Sequence, residues 1–75
     1  MANYEGIQDY LDCHSRTTLL ESRRNLGSSQ EAHLLLDGDG WYSVMYVDSR
    51  KTAVVRSYFF DGQKARAAMK EWLDR

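Results

Sequence analysis

Cys13 and His14 stand side by side, with Asp9 and Asp12 just upstream, and these are the residue types from which metal sites and thiol nucleophiles are built. Neighbours on a helix point about 100° apart, so Cys13 and His14 cannot readily converge on one ion. The only other imidazole is His33, too little for a ligand set. Thiol catalysis by Cys13 would need a histidine brought close in space and an oxyanion site. Neither is signalled, and a small, partly buried thiol is the expectation there.

Asp37, Gly38, Asp39 and Gly40 invite a calcium reading. Placed in an EF-hand loop from Asp37, they put Trp41 at a ligand position and Tyr42 where glycine is required; the alternative register starts on Leu35 and ends on Tyr46. Two Asp-Gly pairs instead favour the positive backbone angles of a tight hairpin turn. Nucleophilic-serine elbows, phosphate loops and dinucleotide fingerprints are absent. Glu5, Asp9, Asp12, Glu21 and Glu31 read as a solvated acidic face rather than a tuned pair. No catalytic residue, metal or cofactor is assigned.

A nucleic-acid reading has a mechanism. Arg50, Lys51, Arg56, Lys64, Arg66 and Lys70 share one half of the chain with the aromatic segments, and aromatic side chains on an open sheet can stack bases while cations neutralise phosphates. Against it, the glycine-and-aromatic pattern of RNA-recognition sheets is missing, and the halves differ in charge: residues 1–40 carry three basic and seven acidic side chains, residues 41–75 seven and four. That asymmetry falls short of a concentrated basic face.

These residues must be positioned by one domain of 75 residues, small enough to bury only roughly 60% of the surface its unfolded chain exposes. One cysteine excludes an intramolecular disulfide framework. The start of the chain lacks the basic and apolar regions of a signal peptide, and no segment approaches the roughly 20 apolar residues of a membrane span, so a cytoplasmic address is expected. A charged fraction of 28% with 12% aromatics and no proline indicates an ordered domain.

The clearest element is C-terminal. Ala65, Ala68, Met69, Trp72 and Leu73 fall at i, i+3, i+4, i+7 and i+8, which predicts an amphipathic helix over 62–74 capped by Asp61. Residues 41–47 (WYSVMYV) and 52–60 (TAVVRSYFF) are β-branched and aromatic, and a short polar loop joins them as an antiparallel hairpin. Residues 32–36 (AHLLL) supply a third strand. Ile7, Tyr10 and Leu11 have helical spacing, with Asn3 as a cap for a short helix from Tyr4. Residues 17–26 admit a helix, through the capping box of Thr18 and Glu21, or a fourth strand turning through Gly27 to Gln30; the polar mixture favours an edge strand. The expected class is α+β: an antiparallel meander of three to four strands, a C-terminal amphipathic helix and a short N-terminal one.

Both faces of the central hairpin are apolar. Tyr42, Val44 and Tyr46 share one side of their strand; simple alternation puts Val54, Arg56, Tyr58 and Phe60 together on the next. One helix cannot cover two faces. Either the N-terminal helix takes the second, or that face stays open for another molecule, and a homodimer is one way to cover it.

The absence of a catalytic constellation and the aromatic content point to a non-enzymatic protein-interaction module, a small stoichiometric inhibitor or adaptor. Its candidate binding residues are Tyr42, Tyr46, Arg56 and Tyr58, or the acidic set Asp9, Asp12, Glu21 and Glu31 for a basic target. In size and composition the chain is similar to very small phage- or mobile-element-encoded inhibitors of host defence, including anti-CRISPR proteins. That similarity is of class and carries no motif; it implies a protein target. The alternative is a small nucleic-acid-binding regulator using Arg50, Lys51 and Arg56.

Overall fold

The structure is a computed structural model that describes residues 6–75, with the side chains of Arg56 and Ser57 outside the description. Four antiparallel strands run in sequence order across one sheet: β1 (Thr18–Asn25), β2 (Gln30–Leu36), β3 (Tyr42–Val47) and β4 (Ala53–Phe59). Helix α1 (Ile7–Cys13) precedes them and α2 (Gly62–Leu73) follows. Among the described residues, no helix is long and apolar enough to cross a membrane.

The segment 17–26 forms a strand over Thr18–Asn25, with Leu26 already in the turn. Thr18 and Glu21 form no capping box; Glu21 pairs with Leu34 in the β1–β2 register, and Gly27 lies in the hairpin turn. The Asp37 loop is a turn, as its sequence predicts. Asp37 Oδ1 accepts from the backbone N–H groups of Asp39 and Trp41, and Asp48 repeats the arrangement at the next turn with Arg50 and Thr52. Each loop then needs a residue at positive φ before its strand resumes. Gly40 supplies it freely at 89°, whereas Lys51 adopts it at 67° against the usual steric cost.

The sheet carries a helix on each face, so the second face does not stand open as a whole. Ala32, Leu34 and Val44 face α2 and meet Ala65, Met69 and Leu73. Leu35, Met45, Val47 and Ala53 face the other way, where Tyr10, Ile7 and Leu11 of α1 cover them. Period-2 alternation on central strands and period-3.6 spacing on the helices generate this three-layer order. Asn3 and Tyr4, the expected start of α1, lie outside the described residues. Cys13 is exposed rather than partly buried.

Two registration shifts matter. Ser43 pairs with Tyr58 while Val44 pairs with Arg56, which leaves Ser57 as an extra residue in β4; Leu20 is the corresponding extra residue in β1. An extra residue shifts the side chains beyond it to the opposite face. Tyr42 pairs with Phe59 on the α2 side, so Tyr58, paired with Ser43, belongs to the α1 side.

Candidate functional site

The three tyrosines expected to cluster are therefore divided. Tyr42 packs beneath the start of α2, where its ring lies 3.3 Å from the position a side-chain carbon on Gly62 would take. Tyr46 sits further along the same face, edge-on to Trp72 at 5.3 Å between ring centres. Tyr58 is exposed on the opposite face, near the end of the sheet where Trp41 and Phe60 stack at 3.7 Å. The fourth candidate, Arg56, has its side chain outside the description.

The acidic set is divided as well. Asp9 and Asp12 are exposed on α1, where Asp12 accepts a hydrogen bond from Gln8. Glu21 lies on the α2 side, with Arg23 Nε at 2.6 Å and Arg66 Nε at 3.8 Å; the Arg23 contact is a close ion pair without hydrogen-bond geometry. Glu31 lies on the α1 side and accepts from Lys51 Nζ at 3.0 Å, with Arg24 at 3.6 Å. No single acidic face results. The same Lys51 contact ties up one of the three cations assigned to nucleic acid.

Glu31 also approaches His33, its Oε1 3.9 Å from Nε2, while His33 Nδ1 meets the Ser22 hydroxyl at 2.8 Å. Ser22 and His33 face each other across the β1–β2 hairpin, a juxtaposition no linear motif announces. The order serine, imidazole, carboxylate is that of a nucleophilic relay, but 3.9 Å is beyond hydrogen-bond reach and Lys51 holds the carboxylate. The arrangement gives the buried imidazole a polar partner and stitches β1 to β2. Burial holds the His33 pKa below its ordinary 6.5, with Glu31 opposing that shift. The Lys51 hydrogen bond is the main cause that holds Glu31 below 4.5.

Both depressions make the folded state the poorer proton acceptor, so stability is full above the unfolded pKa values and falls on acidification. The His33 share is lost as pH drops below about 6.5 and the Glu31 share below about 4.5. Urea melts between pH 7.5 and 4 are expected to show both losses, with His33→Gln removing the first alone. An unchanged profile in that variant would show that the imidazole is not buried as described.

A concave feature lies between α2 and strands β3 and β4. The helix lies mainly over the central strands β2 and β3, and side chains tie it to β1: Arg66 reaches Glu21, and at the helix C-terminus Asn25 Nδ2 donates to the Leu73 carbonyl at 2.6 Å. A four-stranded sheet with strands about 4.8 Å apart is wider than one helix of about 10 Å, so a helix seated over the central strands leaves part of the sheet beside it uncovered. There a groove of about 690 Å³ has a floor of Tyr46, Val54, Phe59 and Trp72. No family model, curated protein or solved structure matches this chain. Site assignment therefore rests on geometry alone.

One wall of the groove is a stripe of α2, Lys64, Ala67, Ala68 and Glu71, continued by Arg75 just beyond the helix, and Asp48 and Thr52 complete the lining. Trp72 is held from below, its Nε1–H donating to the Glu31 carbonyl at 3.0 Å, and from outside, with the Arg75 guanidinium 5.5 Å from its ring centre. Among the expected binding residues whose side chains are described, only Tyr46 lines this groove. Trp72, Ala68 and Phe59 were legible as apolar positions of their elements. That they border an unfilled space comes from the lateral position of α2, which nothing in α2's own periodicity encodes.

Proposed function

We propose that this chain is a non-enzymatic protein-interaction module, a small stoichiometric inhibitor or adaptor, which takes an apolar anchor of a target protein into the groove between α2 and β4. The observation that carries this reading is the groove's composition: among the described residues, three aromatic side chains and a valine make its floor, and charged side chains border them. Rigid aromatic surface in a concavity ringed by polar groups is the common form of an interface centre. The tyrosines and acids expected to bind from elsewhere are divided between faces or paired internally, which favours the groove over either of those sets.

Ala67 is exposed on the groove wall, so Ala67→Trp fills the mouth without entering the core. Capture on immobilised protein from nuclease-treated lysate of the source cells is the test. A stoichiometric protein retained at high salt by the parent and lost by Ala67→Trp is expected, with the variant's thermal unfolding unchanged. Retention by both proteins would remove the groove from the reading. Recovery from untreated lysate alone, lost on nuclease treatment and abolished by neutralising Arg50, Lys51 and Arg56, would replace it with the nucleic-acid alternative.

A further inference from the structure

We infer that the occupant of the groove is an amphipathic helix of the target, about three turns long, lying antiparallel to α2. This rests on the groove being a protein-binding site and adds what binds there. The space adjoins α2 over Tyr46 of β3 and Val54 and Phe59 of β4, where a second helix would extend the layer over the four strands. Its helical wall runs from Lys64 to Trp72, about 12 Å at 1.5 Å per residue, and Arg75 extends it just beyond the helix. Midway stand Ala67 and Ala68, whose small side chains let a neighbouring helix approach to about 8 Å, the close end of helix packing.

Charge fixes the direction. Lys64 lies at one end of the helical wall and Glu71 toward the other, with Arg75 3.7 Å from the Glu71 carboxylate, and Asp48 also lines the groove from the end of β3. A helix antiparallel to α2 brings its positive N-terminal dipole end to Asp48 and Glu71 and its negative C-terminal end to Lys64. An added strand is the poorer fit. It would extend the sheet beyond β4 rather than enter the groove, and the extra residue Ser57 interrupts the β4 edge on which it would have to pair.

The test is selection of a displayed library of 16-residue random peptides on the full chain. Binders are expected to place apolar residues at i, i+3 or i+4, and i+7, with an acidic residue near the C-terminal end. They should gain helical circular dichroism on binding and lose affinity at least tenfold with a central proline. Lys64→Glu is expected to weaken them about tenfold, with recovery when the peptide's acidic residue becomes lysine. Peptides blocked by Ala67→Trp but without helix on binding would overturn the helical occupant and leave the groove reading intact. Peptides indifferent to Ala67→Trp, or no binders at all, would overturn both. A dimer in sedimentation that Ala67→Trp dissociates would assign the groove to a second copy of this chain and also overturn the inference.

Discussion

Met69→Ala is expected to lower the unfolding free energy by about 2–5 kcal/mol, the range for truncating a fully buried methionine to alanine. Met69 is completely buried where α2 meets Ala32, Leu34 and Val44, so the loss includes a cavity that neither the helix nor the central strands can easily collapse. Against a total of roughly 4–11 kcal/mol for a domain of 75 residues, the midpoint of a urea melt should fall by a large fraction. Met69→Leu nearly conserves volume and is expected to cost under about 1.5 kcal/mol. Equal melts for the alanine variant and the parent would mean that α2 is not seated on the sheet through this residue, and the groove beside it would lose its wall.

Trp72→Ala should have the second largest effect, and its two components can be separated. The indole contributes half-buried packing against the α2 core, an edge-on contact with Tyr46 and a hydrogen bond to the Glu31 carbonyl. Because the ring is not fully buried, a stability loss of about 2–3 kcal/mol is expected, below the full range for buried aromatic truncation. Trp72→Phe keeps a ring but no N–H, and should cost about 1 kcal/mol for the lost bond. In the proposed interface Trp72 is also floor, so truncation should weaken a groove-binding peptide by about 30-fold, equivalent to roughly 2 kcal/mol. Isothermal titration below the variant's unfolding temperature measures that loss. Unchanged affinity in Trp72→Ala would place the binding surface elsewhere.

The two variants probe different levels of organisation. Met69 belongs to the stripe that joins α2 to the sheet, and any fold that used the helix would bury it. Trp72 stands where that stripe ends. Its ring borders the groove, while the same helix is tied to β1 by Arg66 with Glu21 and by Asn25 at the helix C-terminus. Moving α2 toward β4 would close the groove, so these two polar contacts, remote from the floor, help keep it available.

Element identity was legible in the sequence because it depends on near neighbours. The 3.6-residue spacing from Ala65 to Leu73, the aromatic and β-branched runs around Val44 and Val55, and the Asp37 turn specify α2, β3, β4 and the hairpin without reference to the rest of the chain. β1 was legible only in part, since Thr18, Glu21 and Gly27 fit a helix locally and pairing with β2 decided for the strand. Tertiary structure alone decided which residues share a surface. The extra residue at Ser57 sent Tyr58 to the face opposite Tyr46, and the hairpin register brought Ser22 to His33. Lys51 was folded onto Glu31, and the lateral seat of α2 opened a groove over Phe59 and Val54. The physical reason is range: periodicity records which side of an element is apolar, whereas registers, bulges and the position of a helix across a sheet are set by contacts between residues far apart in the chain.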